Sequence, residues 1–253
     1  MHGLPLLPFV ALCSVFCLGM VQAGEIRVAV ASNFAGAMRE VAQQFEQDYG
    51  HDVKLVFGST GKHYAQIVNG APFDAFFAAD VERPELLEKE QRIQPGSRST
   101  YAFGSLALWS REATLVDEAG KILERGDFRR LAIANPVTAP YGAAAKAFLQ
   151  QAGLWEAVED NLVFGQNIAQ TLQFVVTRNA SLGLIAASQA RSGRLPEPAC
   201  RWPVPAAMHP PIEQQAILLQ SAADNDAAIA FLDFVAGPEG RAIIRAQGYE
   251  VGD

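Results

Sequence analysis

The sequence predicts an α/β protein of two doubly wound lobes between which the chain crosses twice. Three observations predict it. From Gly24 onward short β-rich runs alternate with helical stretches, the pattern of largely parallel sheets flanked by helices. That alternation breaks at residues 94–99 (QPGSRS), and a new series starts after it. A second break at residues 208–211 (MHPP) precedes another extended run. The chain thus has two candidate crossings, near residues 100 and 211, which make the first lobe discontinuous. The expected boundaries are 24–100 with 211–253 for lobe 1 and 101–210 for lobe 2, with 1–23 as a signal peptide.

Each element follows from local pattern. Residues 26–30 read as the first strand, and Phe34, Met38, Val41 and Phe45 then recur at the spacing of one helical face. Residues 53–57 are a second strand, 60–68 a second helix and 75–79 a third strand, with Asp80 as cap of the next element. Residues 101–109 form a long β-like run able to cross between lobes. The second series has strands at 131–134, 162–164 and 182–186, a helix opening near Pro140 and another near Asn167 that carries Ile168, Leu172 and Val175. Residues 214–219 are again extended. The C-terminal helix places Ala228, Phe231, Leu232 and Val235 on one face, Gly237-Pro238 ends it, and a second short helix runs through Ile243 and Ile244.

Composition sets outer limits. A chain of 253 residues with 50% apolar and 19% charged content can fill two small cores. Its net charge of −7 argues against partners that attract cations, nucleic acid and anionic membrane among them. At the N-terminus, residues 4–18 are apolar and Val21 and Ala23 suit signal-peptidase cleavage, so the mature chain is expected to begin at Gly24 in the periplasm. The rival is an uncleaved anchor, since His2 is the only candidate positive charge before the apolar run. That run is shorter than the roughly 20 residues a spanning helix needs. Cys13 and Cys17 leave with the signal, and Cys200, then alone, is read as structural.

Enzyme chemistry finds little support. His2, His51, His63 and His209 fall at unrelated spacings, and no Cys/His/carboxylate cluster has metal-ligand periodicity. Residues 58–62 (GSTGK) fail the phosphate-loop pattern, because Val56 and His63 stand where Gly and Ser or Thr belong. Ser59 and Lys62 match a Ser-x-x-Lys nucleophile spacing, though its partner motifs are missing. Uncharged polar residues instead collect where strands turn into helices: Ser32-Asn33, Ser59-Thr60, Pro140-Tyr141-Gly142 and Gln166-Asn167-Ile168. Helix N-termini carry unpaired N–H groups, so several converging would hold an anion without lysine or arginine. The plainer reading is ordinary helix capping.

At these residues the sequence resembles the molybdate-binding proteins of ABC importers, which are type II periplasmic binding proteins. The resemblance is carried by VAVASNFAGAM (28–38), FGSTGKHYAQIVNGAPFDAFFAAD (57–80), PYGAAAKAFL (140–149), FGQNIAQTLQFV (164–175) and LGLIAAS (182–188), in the family's order. It implies two α/β lobes joined by a two-stranded hinge with a ligand cleft between them, molybdate or tungstate as ligand, no cofactor, a membrane permease as partner and a monomeric state. It also implies a site of Ser32, Asn33, Ser59, Thr60, Tyr141 and Ile168, with Ile168 contributing only its backbone N–H. Many members place a tyrosine hydroxyl where this chain has Ala186, and Tyr141 looks like the replacement. A fully deprotonated oxyanion accepts hydrogen bonds only, which fits a site lacking Asp and Glu. The alternatives are another oxyanion such as sulfate or phosphate, or a secreted serine hydrolase using Ser59 and Lys62.

Overall fold

The computed structural model describes residues 24–252 apart from Glu118, Ser192 and Arg194; the expected signal segment lies outside the described residues. In chain order the first part is β1 (Glu25–Ala31), α1 (Ala35–Tyr49), β2 (Asp52–Gly58), α2 (Thr60–Val68), β3 (Ala75–Phe77), α3 (Glu82–Lys89) and β4 (Ser99–Gly104). The middle is β5 (Leu106–Ser110), α4 (Ile122–Arg125), β6 (Leu131–Ala134), α5 (Pro140–Gln151), α6 (Trp155–Val158), β7 (Leu162–Gly165), α7 (Ile168–Val176), β8 (Leu182–Ala186), α8 (Ala187–Arg191) and β9 (Cys200–Pro203). The chain closes with β10 (Ile212–Leu218), α9 (Asp226–Ala236) and α10 (Pro238–Ala246).

Two five-stranded sheets result, ordered β2-β1-β3-β10-β4 and β7-β6-β8-β5-β9. Helices cover both faces of each, as a doubly wound fold requires. On β1, Val28 and Val30 face a core with Phe34, Phe45, Phe77 and Phe231, whereas Ala29 faces Ile67, Phe76, Leu87 and Ile217. A strand buried on both sides reads as a continuous apolar run, which is why β8 and the second half of β1, from Val28 to Ala31, show no alternation. In the second body, Leu131, Ile133, Leu182 and Leu184 face Tyr141, Phe148 and Leu149, and the other face packs Ala132 and Ile185 against Val175.

The helices begin and end where their sequences dictate. Phe34, Met38, Val41 and Phe45 are all fully buried, and α1 stops at Gly50 in the left-handed region (φ 72°), a conformation costly for other residues. Asn167 caps α7 by accepting from Gln170 N–H at 3.0 Å, and Asn225 does the same for α9 through Ala228 N–H at 3.3 Å. Pro140 and Pro238 open α5 and α10, a position where the missing N–H costs nothing.

Three features differ from the sequence expectation. The sheets are mixed, because β10 pairs antiparallel with β3 and β4, and β5 pairs antiparallel with β8 and β9. Each body keeps a parallel trio and gains antiparallel neighbours at the crossings: β10 returns to the first sheet in the opposite sense to β4, by which the chain left, and β5, by which it enters the second sheet, runs opposite to β8. Second, the run 101–109 is two strands divided at Ser105, with β4 in one sheet and β5 in the other. Third, β9 is a strand that the sequence pattern does not reveal: its burial alternates, but Pro203 and the polar stretch before it mask the pattern. Cys200 on β9 donates to Glu112 C=O and accepts from Val116 N–H, a structural pairing.

Candidate functional site

The carboxyl ends of β1, β2, β3, β6 and β7 converge between the two bodies, the place where open α/β sheets present helix N-termini. A pocket of about 190 Å³, including its mouth, lies there. Its wall from the first body is Ala31, Ser32, Asn33, Gly58, Ser59, Thr60 and Ala79; from the second body come Ala139, Pro140, Tyr141, Asn167 and Ile168. All six residues expected from the sequence therefore stand on one cavity, and no lining residue is charged.

What each can offer depends on what it already bonds. Ser59 sits at the N-cap of α2 with extended backbone, yet its hydroxyl makes no cap bond. Ordinary capping would commit that oxygen to its own helix. Ser59 and Ser32 are each only 5% exposed, and neither hydroxyl has a hydrogen-bond partner among the described residues. Thr60 is fully buried and its hydroxyl accepts from Ala79 N–H at 3.0 Å, leaving its proton to donate. Tyr141 and Ile168 occupy the first turns of α5 and α7, where backbone N–H groups have no intrahelical acceptor.

Asn33 behaves otherwise. Its Nδ2 donates to Gln214 Oε1 at 2.7 Å and to Tyr249 OH at 3.3 Å, and its carbonyl accepts from Tyr249 OH at 2.8 Å. The side-chain donors are thereby committed inside the protein, and its backbone N–H is what remains for the pocket. Tyr141 is 2% exposed, and its hydroxyl lies against Gly104 and Gln214 with no partner at hydrogen-bond geometry among the described residues. Burial holds this phenol well above the ordinary value of 10, although the Asn33 and Gln214 amides close by favour its ionised form.

Charged groups stay outside. Lys62 is exposed on α2 while Ser59 is buried, and no hydrogen bond joins them, so the nucleophile spacing does not become a nucleophile geometry. Among the described residues no His/Cys/Asp/Glu group could hold a metal ion, and no helix is long and apolar enough to cross a membrane. Asp80, just beyond Ala79, pairs with Arg83 at 2.6 Å. Burial raises its carboxyl despite Arg83.

The pocket is closed by contacts that sequence reasoning missed. Gly61 N–H donates to Thr138 C=O at 2.8 Å, and Arg83 donates to Val137 C=O at 3.1 Å, each bond running from one body to the other. Ser188 Oγ donates to Tyr249 OH at 2.9 Å on the hinge side. One further residue near the pocket does carry a sequence signal: Gln214, with Glu213 and Gln215, puts three polar side chains ahead of the apolar Ala216, Ile217 and Leu218 in one extended run.

The comparisons agree with this architecture. A family model for bacterial extracellular solute-binding proteins matches residues 26–250. The molybdate-binding protein ModA of Azotobacter vinelandii is 49% identical over 229 residues, covering 90% of both chains. Its namesake from Rhodobacter capsulatus is 43% identical, over 90% of this chain and 88% of the relative. Among solved structures, a periplasmic molybdate-binding protein of Azotobacter vinelandii superposes with a TM-score of 0.85 at 38% identity, over 90% of this chain and all of that one. A match spanning both bodies and both crossings places the chain in the bacterial extracellular solute-binding protein family.

Proposed function

We propose that this chain is the substrate-binding protein of an ABC importer and captures molybdate, or tungstate of the same charge and shape, between its two lobes. One observation carries the reading: a pocket between the bodies is lined by hydroxyls and helix N-termini and by no charged side chain. Such a site suits a ligand that accepts at every oxygen. Each donor to a charged oxygen contributes more than a neutral hydrogen bond, and a dry site strengthens it. Phosphate near neutral pH keeps a proton and favours a site with an acceptor carboxylate, which this wall lacks.

In this reading the ion receives the Ser32, Ser59 and Thr60 hydroxyls from one lobe, with the Asn33 backbone N–H. Tyr141 and Ile168 serve from the other. Lobe 1 is 24–100 with 211–253 and lobe 2 is 101–210, the crossings acting as the hinge. The mature protein begins at Gly24, works in the periplasm as a monomer and hands its ligand to the membrane permease. It binds without chemical turnover.

A thermal-shift panel of molybdate, tungstate, sulfate and phosphate tests the reading. Ligand at about 1,000 times its dissociation constant adds about 4 kcal/mol of stability. Molybdate and tungstate are expected to raise Tm strongly. Stabilisation by sulfate or phosphate alone would assign the site to another oxyanion, and acylation of Ser59 by a serine-directed reagent would restore the hydrolase alternative.

A further inference from the structure

Gln214 is fully buried on the hinge strand β10, at the point where β4 and β10 lose register. There Gln214 faces Ala102 while Gln215 faces Thr100, so Tyr101 is the extra residue of a bulge. Bulges re-aim side chains, and here both glutamines become buried in succession. The Gln214 carbonyl oxygen accepts from Asn33 Nδ2 at 2.7 Å and stands 3.2 Å from Tyr101 OH. The Asn33 donor on that oxygen fixes which end of the amide is which, while the single Tyr101 proton is shared with Ala78 C=O at 3.1 Å. Nε2 must then point the other way, where it is buried without a partner among the described residues.

The Tyr141 hydroxyl is in the same condition, and it belongs to the second body. Gly104 locates the two atoms beside each other. A side chain there would overlap the Tyr141 hydroxyl, and its β-carbon would lie 3.1 Å from Gln214 Nε2. Two buried polar atoms left unpaired each carry a desolvation cost, and a donor beside an acceptor lowers it by pairing. Asn33 lines the ion pocket and is gripped by Gln214 on one side and Tyr249 on the other.

We infer that Gln214 is a positioning residue of the hinge, whose amide ties the Asn33 loop of one lobe to the Tyr141 hydroxyl of the other. The Tyr141 hydroxyl thereby acts through the hinge, and Tyr141 meets the ion with its backbone N–H. The inference rests on the oxyanion-binding reading above. Opening the lobes separates Tyr141 from Gln214, and closing brings them together while Gln214 holds the Asn33 backbone in place. Closure and the order of the pocket loop become one event, so the pair slows ligand release and leaves ligand encounter unchanged.

A double-mutant cycle read by titration calorimetry and stopped-flow release of molybdate tests this. Tyr141→Phe is expected to speed release about 10-fold, the effect of one hydrogen bond, and Gln214→Met by more, since it also removes the acceptor of Asn33 Nδ2; association is unchanged in both. The double variant is expected to match Gln214→Met, because the Tyr141 hydroxyl has no partner left to lose once Gln214 is gone. A further increase of about 10-fold from Tyr141→Phe in the Gln214→Met background would put the Tyr141 hydroxyl on the ion and overturn the inference. Gly104→Ala inserts a methyl between the pair while leaving both side chains, and keeps the test open if Gln214→Met does not fold. Faster release in Gly104→Ala supports the inference, and wild-type release overturns it. Failure of the wild type to bind molybdate or tungstate would instead overturn the functional reading, and the inference with it.

Discussion

The uncommitted hydroxyls of Ser32 and Ser59 are the most telling residue-scale feature, because a buried serine at a helix start normally caps its own helix. Ser59→Ala is expected to weaken molybdate binding about 10- to 150-fold, the loss of one charge-assisted hydrogen bond of about 1.5–3 kcal/mol. Lys62→Ala, on the exposed face of the same helix, should change affinity little at physiological salt, and calorimetry of the two variants separates a donor cage from a site held by net charge. Thr60 carries two duties, since its hydroxyl also accepts from Ala79 N–H. Nearby His63, 2% exposed, has Val30 C=O at 3.2 Å and Gln66 Oε1 at 3.1 Å from its ring nitrogens. Burial, partly offset by those bonds, lowers its pKa below the ordinary 6.5. As pH falls the unfolded chain takes up this proton first, so the stability it represents is complete above 6.5 and declines from there toward the lowered value. Thermal melts of wild type and His63→Asn between neutral and mildly acid pH should show a shallower fall for the variant. Equal slopes would mean the imidazole does not titrate differently on folding.

At the scale of elements, the pocket exists because helix starts are brought close to backbone from other elements. Gly142, in the first turn of α5, packs so tightly on the end of β6 that any β-carbon would overlap the Ala134 carbonyl. Gly142→Ala is therefore expected to lower Tm through overpacking, which costs about 1–3 kcal/mol, and a melt without ligand measures it. Gly61 differs in kind. A β-carbon there would sit 3.0 Å from Thr138 C=O across the cleft, which affects only the closed arrangement. Gly61→Val should leave the ligand-free Tm nearly unchanged but weaken ligand binding at least 10-fold, about 1.4 kcal/mol. A drop in ligand-free Tm equal to that of Gly142→Ala would show that Gly61 is a folding residue instead.

For the whole molecule, the proposed site draws donors from two bodies onto one small ion, so closure is expected to be part of binding. The bodies meet through Gly61 with Thr138, Arg83 with Val137 and Ser188 with Tyr249. Small-angle scattering should show a more compact particle with molybdate than without. An unchanged profile at saturation would mean the lobes are closed without ligand. Arg83 holds both the partly buried Asp80 carboxylate and the Val137 carbonyl, so Arg83→Ala removes a link between lobes and leaves Asp80 without its cation. Faster ligand release is expected, with a ligand-free particle that scatters as at least as open as the wild type. Unaltered release would show that the Gly61 and Ser188 contacts suffice.

How much of this was legible depends on which forces are local. Strand and helix periods, the glycine and proline boundaries and the asparagine cap of α7 are set by neighbours along the chain, and they read directly from residues such as Phe34, Met38, Gly50 and Asn167. So did the six pocket residues, because polar side chains at strand-to-helix junctions mark helix starts, and the family resemblance gave those starts a common purpose. The sequence by itself thus determined the two α/β bodies and pointed to six residues that line one pocket between them. It did not determine what each side chain bonds. Asn33 reads as an amide donor, yet its donors go to Gln214 and Tyr249, which lie 181 and 216 residues away along the chain. The surroundings of the Tyr141 hydroxyl and the Gly61–Thr138 bond likewise exist only once the two bodies meet, and the Gln214 bulge only once β10 returns to pair with β4. Hydrogen bonds are short-ranged and directional, so their partners are decided by packing that no local pattern encodes.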